Sequence, residues 1–310
     1  MEGPTQKEKA FFDKLETLWG KTPESLKALV IFFGWGVIAV ILYFSAYGFM
    51  EKFDIDIKKY QGSSLSDSST GISSDTEDCN VLGINLHGTL LTYLPPENGD
   101  SLIADNTDIV SSENVLYYID KAEKDEDIKA ILVEVDSSGG LPVAGEEIAS
   151  ALKASSKPTV ALIRQTGVSA AYWAISSAGR IFASKNSDVG SIGVTTSYLD
   201  NTSKNQKDGY GFIQLSAGKY KDIGNPDKPL TDEERTLIIR DLNIIHQNFI
   251  NDVSVNRGIP PEDIKKIADG SSVLGETAKA LKLVDEIGNI FEVEKYLSEK
   301  IGEEVEICWN

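Results

Sequence analysis

The chain has 310 residues, 41% hydrophobic and 25% charged, with a net charge of −18. That is enough apolar material for one large globular domain plus an appendage. Residues 1–60 hold eight Lys and eight Asp or Glu, so the whole acidic excess falls on the remaining 250 residues; a surface that acidic repels phosphate backbones and argues against nucleic acid as a partner.

In chain order, the first distinct feature is Ala28 to Met50, 23 residues without a charge. At about 1.5 Å per residue such a helix crosses a hydrocarbon core of roughly 30 Å. Five lysines precede it (Lys7, Lys9, Lys14, Lys21, Lys27) and three follow closely (Lys52, Lys58, Lys59). This bias predicts a cytoplasmic segment over 1–27, a membrane span over 28–50 and the larger part of the chain outside the cytoplasm. Residues 51–78, rich in Ser, Gly and Asp from Gln61 onward, read as a flexible tether.

A soluble domain is expected over 79–310. Apolar runs at Val81–Leu86, Ala130–Val135, Thr159–Ile163 and Ile181–Ala183 predict short buried strands. Helical patterns lie between them at Glu113–Lys124, Val143–Ala154 and Ala170–Ala178, the last expected to be capped by Gly179. The alternation predicts an α/β domain with a parallel-sheet core and crossover helices. A capping box at Thr231–Glu234 opens a long helix to about Asn256. Shorter helices are expected over Pro261–Ala268, Thr277–Leu281 and Phe291–Lys300.

Ligand sites in parallel sheets form outside the carboxyl ends of the strands. Asp136-Ser-Ser-Gly-Gly140 and Gly167-Val-Ser169-Ala-Ala-Tyr-Trp173 are expected there, after the second and third runs. Taken singly, a serine at a helix start is a capping residue and paired glycines are a turn. The two cysteines, Cys79 and Cys308, open and nearly close the domain; a disulfide between them and two unrelated thiols both fit. No CxxC or zinc-like spacing occurs, so no metal or cofactor is expected. His87 follows a strand-like run and His246 lies within the long helix, so both read as structural or solvent-facing.

Together and in this order, these segments resemble the signal peptide peptidase A family, serine/lysine peptidases built on a Clp-protease/crotonase-like fold. The resemblance runs from about Val81 to Gly288. Besides the two segments above it rests on Gly190-Ser-Ile-Gly-Val194, Gly218-Lys-Tyr-Lys-Asp-Ile-Gly224, Arg257-Gly-Ile-Pro-Pro-Glu-Asp263 with Ala268-Asp-Gly270, and Leu283-Val-Asp-Glu-Ile-Gly288. It implies that Ser169 is a nucleophile and Lys221, 52 residues on, its general base, with Lys219 as the rival. The backbone N–H groups of Gly140 and Ala170 become the oxyanion hole. Ser191 either orients the lysine or is a turn serine. Leu141 and Val194 flank the nucleophile where an extended peptide would pair. Ala170, Ala171 and Val194 suit a small or apolar side chain there.

The resemblance further implies a homo-oligomeric ring on the membrane, with Lys221 of one copy serving Ser169 of the next. Its partners would be peptides, signal-peptide remnants among them, and the lipid around the anchor. Its place would be the cell membrane, with the catalytic domain extracytoplasmic. Two positions depart from the family pattern: Ala170-Ala171 stands where two glycines are usual, and Ser138 where proline is. Alanine keeps its N–H but does not favour positive φ, so an altered turn or an altered neighbouring substrate pocket is expected there. Other readings are a catalytically silent peptide-binding scaffold of the same family and a membrane serine protease that works beside stomatin-like partners. Acyl-coenzyme-A chemistry on the same architecture fits poorly with a membrane anchor and an acidic domain.

Overall fold

The computed structural model describes residues 79–94 and 108–310, together with Gly20 and Pro23. Apart from those two residues, the expected cytoplasmic segment, membrane span and tether lie outside the described residues. Among the described residues no helix is long and apolar enough to cross a membrane.

The strands are β1 (Val81–Leu91), β2 (Ile109–Ser111), β3 (Ala130–Gly140), β4 (Thr159–Val168), β5 (Arg180–Ala183), β6 (Asp188–Gly190), β7 (Ser272–Leu274), β8 (Glu286–Ile287) and β9 (Ile307–Trp309). The helices are α1 (Ser112–Lys124), α2 (Pro142–Ala154), α3 (Ala170–Ile175), α4 (Thr202–Lys207), α5 (Asp232–Arg257), α6 (Pro261–Ile267), α7 (Gly275–Ala280) and α8 (Ile290–Ile301). The main sheet runs β2-β1-β3-β4-β5-β8, every pair parallel. β6 extends the sheet beside the end of β4, and β7 pairs antiparallel with β6. The expected parallel α/β core is therefore present.

Alternation along the strands builds two layers. Leu82, Ile84 and Leu86 of β1, Ile131, Val133 and Val135 of β3 and Ala161 and Ile163 of β4 face α1, α2, α3 and α5. Val81, Ala130, Leu132, Val160, Leu162 and Phe182 face the other way and pack on Val293 and Leu297 of α8. Strands buried on both faces read as unbroken apolar runs, which is why their first halves are visible in the sequence.

Several boundaries differ from expectation. β1, β3 and β4 continue past their apolar runs to Leu91, Gly140 and Val168. Asp136–Gly140 is thus the irregular last stretch of β3, not a loop after it; the register against β4 shifts between Val135 and Ser137. Ser137 compensates for the lost regularity, donating to Gly88 O at 2.6 Å and accepting from Gly139 N at 3.1 Å. α3 stops at Ile175, capped by Ser176, so Gly179 is not its C-cap.

The ends of the domain are tied together. Cys79 and Cys308 form a disulfide with Cα atoms 5.7 Å apart, so the paired-cysteine alternative is the one realised. Beside it β9 pairs parallel with the first residues of β1.

Candidate active site

β4 and β6 run parallel, with Val168 opposite Gly190, so Ser169 and Ser191 emerge side by side at the carboxyl end of the sheet. Ser169 N donates to Gly190 O at 2.8 Å, and Ser169 O accepts the first helical bond of α3 from Trp173 N at 3.0 Å. Ser169 itself has φ 54° and ψ −132°. A β-substituted residue held there costs on the order of 1–3 kcal/mol and persists only where the surroundings over-determine it. Here they do: the six residues of α3 behind it are all buried. Ser169 makes no side-chain cap to α3, so the capping explanation of this serine fails.

The positive φ falls on Ser169, and Ala170 and Ala171 lie in the helix. The two alanines therefore need no glycine-like conformation, and the expected disturbance of the turn does not arise. The glycine the site does require is Gly139, at φ 99°. A Cβ there would stand 2.7 Å from Ser169 Cβ and 2.9 Å from Ala170 N. Only a bare backbone fits against the serine turn.

Ser169 opens into a cleft of about 530 Å³. Gly140 and Ala170 line it, as do Ser191 and Val194. Leu141 does not: its N–H donates to Leu90 O at 2.8 Å, and its carbonyl accepts from Gly145 N at 3.3 Å. Both of its backbone groups already have partners, so Leu141 offers no free N–H to a substrate strand. Ser191, at φ 48°, donates from Oγ to Gly270 O at 2.8 Å and from its backbone N to Ser271 O at 3.1 Å. It fastens the far wall, Ala268–Gly270, to the sheet.

Sequence reasoning missed the floor of the cleft. Trp173 of α3 and Phe249 of α5 stack with centroids 4.6 Å apart and planes 4° from parallel. The Trp173 indole N–H donates to Asp252 at 2.9 Å. His246, set aside as structural, lies one turn before Phe249 and lines the same cleft as Ser169. A signal existed in the spacing of His246, Phe249 and Asp252 along one helical face, but not what that face meets.

Lys221 is not among the residues lining the cleft. From Ser191 to Thr231 the short α4 is the sole regular helix or strand, and every residue from Gln206 to Lys221 is exposed. Near its base this arm is held by Asn201 N donating to Pro226 O at 2.8 Å and Asn205 Nδ2 to Asp227 at 2.8 Å. Its tip presents Tyr210, Ile213 and Leu215 to solvent, Leu215 at 92%. Lys219 is ion-paired with Glu233 at 2.6 Å, which raises its pKa and favours the ammonium form. That is the wrong direction for a base. Among the described residues no three His, Cys, Asp or Glu side chains converge as metal ligands.

A family model described as peptidase family S49 matches residues 151–303. A putative protease of Methanocaldococcus jannaschii is 38% identical over 177 residues, covering 56% of this chain and 57% of that protein. A putative signal peptide peptidase SppA of Enterococcus faecium is 30% identical over 179 residues, covering 57% and 52%. Protease 4 of Salmonella typhi is 32% identical over 185 residues, covering 58% and 29%. The matched part is little more than half the length of the first two relatives and under a third of the last. With the ordered motifs and the serine turn, these matches place residues 151–303 in peptidase family S49, similar to proteases of the signal peptide peptidase A type.

Proposed function

We propose that this chain is a membrane-anchored serine endopeptidase in which Ser169 is the nucleophile and Lys221 of a neighbouring copy is the general base. The single observation that carries the reading is the strained serine turn at φ 54°, opening into a cleft that Gly140 and Ala170 also line. Strain of this kind gathers at functional sites. A turn that aims a hydroxyl into a cleft and away from its own helix suits attack on a bound carbonyl.

In the proposed reaction Ser169 Oγ attacks the scissile carbonyl while the lysine amine takes its proton. The N–H groups of Gly140 and Ala170 receive the developing oxyanion. The lysine returns the proton to the leaving amine, and water then releases the acyl group. A lysine acts as base only when burial disfavours its ammonium form. Lys221 is exposed in the single chain, so that burial has to come from a second copy. The exposed apolar tip of its arm supports such a contact.

An extended peptide would pair along Val194, which suits unfolded segments such as signal-peptide remnants. The Cys79–Cys308 disulfide fits an oxidising, extracytoplasmic setting for the domain, with residues 28–50 as the anchor. The deciding experiment is labelling of the full chain in detergent by a fluorophosphonate. Wild type is expected to react and Ser169→Ala not. Absence of labelling in wild type, with no hydrolysis of unfolded peptides, would replace the peptidase with the silent scaffold.

A further inference from the structure

The back of the cleft offers a substrate little to touch: Ala170, Trp173 and Phe249 are buried, and the unpaired His246 Nε2 is sealed from solvent. Besides Ser169, the accessible lining comes from Gly140, Pro142, Ser191, Gly193–Thr195 and Asp269–Gly270. Neither lysine nor arginine is part of it, and Asp269 is its one carboxylate.

Asp269 is exposed, and its position is fixed from within the chain. Oδ1 accepts from Ser271 N at 2.9 Å and from Ser271 Oγ at 2.6 Å. Ser191 ties this wall to the end of β6, its N donating to Ser271 O at 3.1 Å and its Oγ to Gly270 O at 2.8 Å. Gly193 lies against the same wall, where a Cβ would stand 2.8 Å from Gly270 Cα. Both Ser271 bonds fall on Oδ1, and Oδ2 has no partner among the described residues. The two bonds hold the carboxyl below the ordinary range, so it is an anion at neutral pH. Lys266 does not neutralise it, being paired with Asp263 at 2.7 Å. A carboxylate already held in place loses little freedom when it meets a cation, so more of the attraction appears as affinity.

We infer that Asp269 selects substrates with a basic residue close to the scissile bond, its carboxylate accepting from the lysine ammonium or arginine guanidinium of a peptide paired beside Val194. This rests on the peptidase reading and deepens it by naming a substrate class. The expected small or apolar guest drew on Ala170 and Ala171, which are buried in α3, so its remaining support is Val194. Charge complementarity of this kind acts mainly on the choice among partners. Because the carboxylate is exposed, the attraction is screened and corresponds to a preference of about fivefold at low salt. The same charge disfavours an acidic residue at that place.

The test uses unfolded peptides identical except for Lys, Met, Gln or Glu at one residue near the scissile bond, moved through successive positions on both sides of it. kcat/KM is measured for the full chain in detergent as wild type and Asp269→Asn. Wild type is expected to favour Lys over Met about fivefold at one position or more and to disfavour Glu against Gln there, both ratios shrinking as salt is added. Asp269→Asn keeps an oxygen for Ser271 and removes the charge, so both preferences should disappear. Equal cleavage of the Lys and Met peptides by wild type at every position overturns this inference and leaves the peptidase standing. So does a Lys preference that survives Asp269→Asn, or a loss in that variant equal for every peptide, which would make Asp269 a support of the wall only. If wild type hydrolyses nothing, the peptidase reading fails, and fluorescence anisotropy of the same peptides on Ser169→Ala, with and without Asp269→Asn, decides the inference separately. Tighter binding of Lys than of Met that disappears with Asp269→Asn would uphold it; equal or absent binding would overturn it as well.

Discussion

Ser169 stands at the end of a strand paired on both sides, in front of a helix with no exposed residue. Lys221 stands at the end of sixteen consecutive exposed residues. The serine turn draws its geometry from within the chain: Gly139 against it, Gly190 O on its N–H, buried Tyr172 and Trp173 behind it. Tyr172 is fixed by donating to Leu283 O at 2.9 Å, and burial pushes its phenol pKa up, so it remains a neutral donor. The arm has no comparable support. A strained conformation needs many neighbours to hold it, whereas an exposed loop waits for something to pack against. Under the proposed mechanism one chain would build the nucleophile's half of the centre, and a second copy would have to bury the base's half.

The largest expected effect breaks or keeps that contrast directly. Ser169→Ala and Lys221→Ala should each abolish peptide hydrolysis, the loss reaching on the order of a thousandfold or more, as for other paired nucleophiles and bases. Mixed after dissociation and reassembly, the two inactive variants should regain part of the wild-type rate, because some sites then join an intact Ser169 to an intact Lys221 of another copy. No recovery, with reassembly verified by sedimentation, would place both groups of a site in one chain. His246, already in the cleft, would then be the base to examine.

A smaller effect tests the serine turn. Glycine tolerates φ 54° without the penalty carried by a side chain. Ser169→Gly should therefore be inactive yet more stable than wild type, by about 1 kcal/mol in denaturant unfolding. Ser169→Ala keeps the Cβ and should leave stability nearly unchanged. Equal stability of the glycine and alanine variants would mean the turn is not strained in solution.

How much was legible in the sequence follows the same division. The first halves of β1, β3 and β4 are apolar runs because both faces are covered, and α5 announces itself with a complete capping box at Thr231 and Glu234. Ser169 could be located because the motifs around it occur in order. The second halves of those strands are masked in the sequence by Asp136, Ser137 and the glycines, residues that normally mark loops; here strand pairing and the Ser137 side chain keep them in the sheet. His246 reads as structural in the sequence because local periodicity does not reveal that α5 packs on Trp173, whose indole bonds Asp252 79 residues away. The arm was legible only as a lysine motif, since its conformation depends on few contacts within the chain.

The smallest expected effect concerns the joint between arm and core. Glu234 closes the capping box by accepting from Thr231 N at 3.0 Å, and its other oxygen accepts from Lys228. The Lys228 ammonium, and then the Thr231 N–H, hold the Glu234 carboxyl below the ordinary carboxylate range. A depressed folded pKa means this contribution is fully present above the ordinary Glu value of about 4.3 and is lost as pH falls through the depressed value. Acid should therefore loosen the base of the arm before it disturbs the sheet. Hydrogen exchange of the amides around Lys228–Arg235 is expected to accelerate a few-fold below about pH 4 while β3 and β4 stay protected. Glu234→Gln should show the faster exchange already at neutral pH and lose the acid step. If the acid step persists in Glu234→Gln, another carboxylate governs the joint. If β3 and β4 open together with the arm, the two regions are one cooperative unit and the difference between them is only one of exposure.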